Sequence, residues 1–267
     1  MDLTKLVSGS QEWLLWRRGG IGASDSAAVM NLSPWMTAYQ LWEDKTGRAE
    51  AFEGNMATQR GQDLEGKARA MYELISMEDM PPKVGVHPKY EFMRASFDGC
   101  SSDGKKIVEI KVPGEKTHDD AKAGIVPPHY MIQIQHQLLV SGADSCDFFS
   151  YSYKDESHAL IEVFPNLGMQ VEILSACINF WENHVLKSYP PPLTSRDVKE
   201  VYEGEIVGLC EQLKQKDSMK KQDVDSLKAK VIELGGHNKI RCGDVLISET
   251  KLSSGKMSYR MTTAKQG

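Results

Sequence analysis

In the run Ile107-Val108-Glu109-Ile110-Lys111-Val112, two charged side chains interrupt an otherwise apolar strand. Side chains alternate across a strand, so Glu109 and Lys111 share one face, while Val108, Ile110 and Val112 make the other face fully apolar. A second strand, Phe92–Phe97, precedes it, and Gly99–Gly104 reads as the turn between them. That turn sets Asp98, at the end of the earlier strand, beside Glu109. Two carboxylates and an ammonium then crowd one edge of a sheet. Carboxylates this close repel unless a cation lies between them, and a hard, oxygen-ligated ion such as Mg²⁺ is the usual answer. The Ile110 carbonyl is placed to complete the ligand set, and Lys111 to orient or help deprotonate an attacking water and to stabilise negative charge. The plainer alternative is a Glu–Lys pair on a solvated strand, worth under about 1 kcal/mol. Asp98 upstream is what favours the site.

The surrounding pattern supplies the layers. Ser10–Arg18 reads as a short helix, broken at Gly19-Gly20, and Ala23-Ser24-Asp25 opens another with Ser24 or Asp25 as N-cap. Thr37–Thr46 and Asn55–Ile75 read as helices, the latter amphipathic through Leu64, Ala68, Met71, Tyr72 and Ile75. Strands follow at Val84–Val86, Phe92–Phe97 and Lys106–Val112, then a polar loop over Pro113–Pro128. A helix over Tyr130–Val140, a hairpin of Asp147–Tyr153 with Ala159–Phe164, and a helix over Leu167–Leu186 complete a mixed α/β (α+β) core, a central mixed sheet flanked by helices. Tyr189-Pro190-Pro191-Pro192 marks a boundary. Residues 1–193 therefore form the core. Residues 194–267 form an extension with helical spacing through Ile206, Cys210, Leu213, Val224, Leu227, Val231 and Leu234. A small hairpin of Val245–Ile247 and Met257–Arg260 ends it.

Composition narrows the class. The net charge of −5 hides a split: residues 214–267 carry 12 Lys and Arg against 6 Asp and Glu, so a basic tail follows an acidic body. Cys100, Cys146, Cys177, Cys210 and Cys242 are too scattered for a disulfide framework or a clustered metal site. Met1–Leu6 has no apolar leader pattern, and no apolar run is long enough to span a bilayer. These features predict a reduced, cytoplasmic protein. There is no GxSxG, Walker A or GxGxxG motif, so hydrolase triads, P-loop NTPases and dinucleotide enzymes fit poorly.

Further candidates lie off the sheet. Gln133 and Gln137 share a helix face, an amide patch suited to phosphate oxygens or a metal-bound water. Glu65 stands four residues before Arg69, either as a plain ion pair or turned toward the sheet edge as an outer metal ligand. Arg17 and Ser24 flank a glycine turn at a helix start, a phosphate-cradle pattern. His136, on an apolar-flanked helix, reads as structural.

Taken together, Trp13-Leu14-Leu15-Trp16-Arg17-Arg18-Gly19-Gly20-Ile21-Gly22-Ala23-Ser24-Asp25, Ser33-Pro34-Trp35, Leu41-Trp42, Lys45-Thr46-Gly47, Gly61-Gln62-Asp63-Leu64-Glu65 with Ala68-Arg69, Asp98, Glu109-Ile110-Lys111 and Tyr130 with Gln133 and Gln135 resemble the YqaJ-type viral recombinase family. That family includes the phage lambda exonuclease and belongs to the PD-(D/E)xK nucleases. The resemblance covers about residues 10–190. It implies a restriction-endonuclease-like core and a Mg²⁺-dependent 5′-to-3′ exonuclease on linear duplex DNA. The 3′-tailed product would pass to a single-strand annealing protein, in a phage-type recombination within a bacterial host. By position, Asp98, Glu109, the Ile110 carbonyl and Glu65 would hold two metal ions, with Mn²⁺ as a substitute. Lys111 and Gln133 would act on the water or phosphate, Arg17 and Ser24 would hold the 5′-phosphate, and Tyr130 and Gln135 would support DNA binding. A trimeric ring is a further implication. The superfamily's proline is Phe97 here, and the spaced cysteines exclude its iron–sulfur branch. Two alternatives stay open: a structure- or site-specific endonuclease of the same superfamily, and a non-catalytic DNA-binding recombination scaffold.

Overall fold

The computed structural model describes residues 1–4, 6, 9–49, 56–200, 204, 207, 208, 226, 230, 239–243, 245–251 and 257–263. The chain divides into two units, Met1–Pro191 and Pro192–Gly267.

The first unit runs β1 (Asp2–Thr4), α1 (Gln11–Arg18), β2 (Ile21–Gly22), a 3₁₀ turn (Ala23–Asp25), α2 (Ser26–Val29), α3 (Ala38–Lys45) and α4 (Met56–Ser76). It continues with β3 (Lys83–Val86), β4 (Met93–Phe97), β5 (Gly99–Cys100), β6 (Lys106–Lys111), α5 (Glu115–Lys122), α6 (Pro128–Ser141), β7 (Ser145–Tyr151), β8 (His158–Val163) and α7 (Leu167–Phe180). A wide π turn, Trp181–Val185, extends α7.

The strands form two sheets, ordered β1-β3-β4-β2 and β5-β6-β7-β8. The second is mixed, with β6 and β7 parallel and both outer pairs antiparallel. Helices cover both of its faces. Val108 and Ile110 of β6, with Phe149 and Tyr151 of β7, pack with Ala68 and Tyr72 of α4. Ile107, Cys146 and Phe148 face the larger core, which holds Ile134 and Leu138 of α6 and Ile173 and Cys177 of α7. The alternation read from the sequence thus places Glu109 on the α6 side.

Several expectations change. Phe92–Phe97 and Lys106–Val112 are consecutive in sequence, but β4 pairs with β3 and β2, whereas β6 pairs with β5 and β7. The chain passes from one sheet to the other at Asp98. Gly99 permits the step, because a Cβ there would lie 2.7 Å from the Met80 carbonyl oxygen and 2.7 Å from Val108 Cγ1. The turn expected from Gly99 accordingly begins only after Cys100. The loop over Pro113–Pro128 contains helix α5, whose buried side is His118 and Ala121. It has no large apolar stripe, so periodicity could not reveal it. Ile21-Gly22 forms a short strand and the 3₁₀ turn starts from Gly22, while Asp25 stands at the expected N-cap position of α2 but makes no side-chain capping bond to it. Helix α6 starts at Pro128, in the first-turn position that suits proline, and stops at Gly142 with φ +69°.

The second unit contains β9 (Val198–Glu200), β10 (Lys239–Cys242), β11 (Val245–Lys251) and β12 (Met257–Thr263), ordered β12-β11-β10-β9. The expected terminal hairpin is the β11–β12 pair, with Ile247 opposite Met261. The expected helical seam over 206–234 lies outside the described residues except at 207, 208, 226 and 230. Strands are therefore most of what is described of an extension expected to be helical.

Candidate active site

Asp98 sits where β4 hands over to β5, and its carboxylate accepts the Ile110 N–H at 2.7 Å. β5 pairs only with Ile107 and Val108, so β6 runs on past it with that edge open. In a strand the N–H and C=O of one residue point to the same side. The Ile110 carbonyl therefore faces the same open edge as Asp98.

Glu109 is 1% exposed. Its buried carboxylate is held from α6, with the Gln133 amide donating to Oε1 at 2.7 Å and the Gln137 amide to Oε2 at 2.6 Å. The i, i+4 spacing puts both amides on one helix face, as the sequence indicated. Gln137 also donates to the Ser96 carbonyl on β4 at 3.2 Å, tying the helix to the strand that carries Asp98. Lys111 forms an ion pair with Glu109 Oε1 and lies 5.2 Å from the Tyr130 ring centre. Glu65 on α4 pairs with Arg69 at 2.6 Å, so its ion-pair reading is seen directly, and its charge reaches Asp98.

The electrostatics show the conflict expected of paired carboxylates. Burial, then Glu109, and also Glu65 push the Asp98 carboxyl well above its ordinary range, against the opposing pull of Lys111 and the Ile110 N–H. Burial disfavours the Lys111 ammonium, but Glu109 and Asp98 outweigh it and raise its pKa. As an ammonium, Lys111 can orient a water and stabilise a developing anion.

The donor set suits a divalent cation. Among the described residues no three His, Cys, Asp or Glu side chains gather into a closed cage. Mg²⁺ does not need one, since it binds through one or two carboxylates, retained waters and substrate phosphates. Asp98, Glu109 and the Ile110 carbonyl at an open edge fit that pattern. Glu65 would reach such an ion through its solvation shell.

A second cluster lies at the 3₁₀ turn, which packs on α6 and β4. Arg17 donates to Ser24 Oγ at 2.7 Å and to Asp25 Oδ1 at 3.0 Å. Ser24 is exposed and Arg17 is partly so, leaving both available to a ligand. Beneath them the buried Asp25 also receives Lys45 at 2.7 Å and the Gly22 N–H at 3.0 Å. Burial works to raise the Asp25 pKa, but Lys45 and Arg17 hold it far below the usual carboxylate range. Lys45 also donates to the Arg17 carbonyl at 3.1 Å. Arg94 crosses the same turn, donating to the Trp16 carbonyl, and Gly19 and Gly20 lie against it.

One site expectation fails. Gln135, expected at the DNA, is 1% exposed and turned away. It donates to the Phe164 carbonyl at 2.8 Å and accepts the Asn166 N–H at 2.8 Å, holding the start of α7. The spacing of 133, 135 and 137 explains this, because i+2 falls on another side of a helix. Tyr130 lies beside Lys111. His136 is structural: Nε2–H donates to the Arg94 carbonyl at 3.1 Å, so Nδ1 accepts from Ser26 Oγ at 2.5 Å. Burial lowers its pKa to about 4. Asp25 and Lys45 were not read as a charge centre, and a buried ion pair 20 residues apart leaves no local spacing signal.

The mixed sheet between helices, with carboxylates and a lysine at its open edge, is the architecture of PD-(D/E)xK nucleases. Residues 12–144 match the YqaJ-like viral recombinase domain. The chain is 27% identical to the uncharacterised protein YqaJ of Bacillus subtilis (strain 168), over 91% of this chain and 72% of that protein. It is 24% identical to the uncharacterised protein R354 of Acanthamoeba polyphaga mimivirus, over 74% of this chain but only 43% of the viral protein. Among solved structures it resembles the alkaline exonuclease LHK-Exo of Laribacter hongkongensis, with TM-score 0.60 and 28% identity, covering 67% of this chain and 94% of that one. The complex of LHK-Exo with dAMP matches equally well. Among the described residues no helix is long and apolar enough to cross a membrane.

Proposed function

We propose that this protein is a metal-dependent 5′-to-3′ exonuclease acting on the ends of linear duplex DNA and leaving 3′ single-stranded tails for a single-strand annealing partner. The observation that carries the reading is the combination of two sites on one unit. Asp98, Glu109 and Lys111 stand at an open sheet edge, and Arg17 with Ser24 is held at a glycine turn that packs on the same helix, α6. A hydrolytic centre alone would serve any nuclease; an added phosphate cradle favours an enzyme that starts from an end. The similarity to an alkaline exonuclease, and that enzyme's complex with a mononucleotide, support the same reading.

Asp98, Glu109 and the Ile110 carbonyl would hold the metal, with Glu65 acting through water. Two Mg²⁺ ions, or Mn²⁺ in their place, would neutralise the scissile phosphate and ionise the attacking water. Lys111, paired with Glu109, stabilises charge on the phosphoryl oxygens. Gln133 and Gln137 fix the Glu109 carboxylate through both of its oxygens. Arg17 and Ser24 grip the terminal 5′-phosphate and set which bond reaches Lys111. A trimer enclosing the duplex would add processivity, and the basic extension, residues 194–267, would grip DNA or dock the annealing partner.

The test uses linear duplex DNA, 5′-phosphorylated and 3′-labelled, beside a covalently closed circle. Shortening from the 5′ ends with an intact circle is expected. Cutting of the circle would make the enzyme an endonuclease, and retention of DNA without cleavage would make it a binding protein.

A further inference from the structure

Trp35 is a large apolar side chain left 68% exposed, although a tryptophan is ordinarily among the best-buried residues. The turn that presents it is built with care. The buried Ser33 accepts the N–H groups of Trp35 at 3.3 Å and Met36 at 3.2 Å. The N–H groups of Leu32 and Ser33 both donate to the Ala27 carbonyl, at 2.7 and 2.9 Å. Pro34 fixes the intervening dihedral. The indole is therefore held out on a rigid support.

Its neighbours lead to the reacting centre. The indole meets His129 edge-on at 4.7 Å and Tyr130 at 5.9 Å. Tyr130 in turn lies 5.2 Å from the Lys111 ammonium. One ring thus separates Trp35 from the lysine that faces the scissile phosphate. The apolar surfaces nearest that phosphate in a nucleic acid are the bases on either side of it, and stacking on a rigid aromatic suits every base alike.

Resting on the exonuclease reading above, we infer that Trp35 is a base-stacking platform that receives one of the two nucleobases flanking the scissile phosphate once that base has left the duplex stack. The platform holds the departing strand in line with Lys111 without selecting sequence.

The test pairs the ring with its base. Wild type, Trp35→Ala and Trp35→Phe are compared on 5′-phosphorylated linear duplexes with an ordinary or an abasic first or second nucleotide. Loss of one stacked base is worth roughly a factor of ten in the lower part of the known range. Trp35→Ala is expected to slow the ordinary substrate about tenfold and to lose nothing further on one abasic substrate. Trp35→Phe is expected to retain most of the rate. A merely structural tryptophan would slow both substrates alike, so independent, multiplying losses overturn the inference, as does an unaltered rate in Trp35→Ala. In parallel, 2-aminopurine replaces each of the two terminal bases, and its fluorescence is read with Ca²⁺ in place of Mg²⁺. Quenching that needs Trp35 supports the platform even where no cleavage occurs, in which case only the exonuclease reading fails. Binding without such quenching, or no binding, refutes the platform.

Discussion

Asp25→Asn should destabilise the fold and loosen the phosphate cradle together. Asn keeps the shape and one acceptor oxygen but removes the charge that Lys45 meets at 2.7 Å. The Lys45 side chain is 1% exposed and that of Asp25 7%, so the ammonium is left buried without its counter-charge. Removing one member of such a pair costs about 3–5 kcal/mol, and the retained oxygen favours the lower end. Arg17 is 37% exposed, so its share is screened and adds little. A loss of about 3 kcal/mol is a large part of a typical domain stability of about 5–15 kcal/mol. It would lower the urea midpoint by roughly 1–2 M, read from tryptophan fluorescence. Adding Lys45→Met should recover part of the loss, because it removes the stranded charge. In both variants Arg17 loses its anchor, and discrimination between 5′-phosphate and 5′-hydroxyl ends should fall. The sign with pH follows. The folded Asp25 pKa lies below the unfolded value near 3.9, so its stabilisation is full at neutral pH and is lost as pH falls below about 4. A midpoint unchanged in Asp25→Asn, or a double variant no better than the single one, would refute this account of the hub.

Other outcomes can be read from the same contacts. Asp98 titrates above its ordinary range, so in metal-free protein its ionised form opposes folding, and stability should rise as pH is lowered from 7 toward 5. Asp98→Asn should therefore melt higher than metal-free wild type at pH 7 while losing cleavage, and Mg²⁺ should raise the wild-type Tm much more than the variant's, by scanning calorimetry. Gln137→Leu strands Glu109 Oε2 in the interior, at a cost of about 1–3 kcal/mol. Cleavage should drop at least about tenfold, while Gln135→Leu should change stability but not the rate per folded molecule. Gly20→Ala would set a Cβ 2.6 Å from the Phe92 carbonyl oxygen and from Arg94 Cδ. It should cost about 1–3 kcal/mol and weaken 5′-phosphate preference by shifting the Arg17 turn, seen in competition between the two end types.

Much of this was legible because it is local. The alternation in Lys106–Lys111 fixed which face each residue occupies, and i, i+4 spacing put Gln133 and Gln137 together. The reading missed what depends on tertiary placement. The split of consecutive strands between two sheets turns on the close packing of Gly99 against Met80. Helix α5 is held by His118, which hydrogen-bonds Ser150 and Ser157 at 2.9 Å each, rather than by an apolar stripe. Asp25 does stand at the cap position of α2, but its side chain serves a charge centre instead, since its partner Lys45 comes from another helix. Gln135 drew attention through its neighbours in sequence, although helix geometry turns it away from them.

The most direct trial is the rate of mononucleotide release from a 5′-phosphorylated linear duplex in Mg²⁺ by wild type and by Lys111→Ala, with folding of both checked by their melting curves. The account predicts steady release by wild type and a loss of at least about a thousandfold in a variant that melts as a folded protein. Equal rates in the two would contradict the assignment of the reacting centre to the edge of β6.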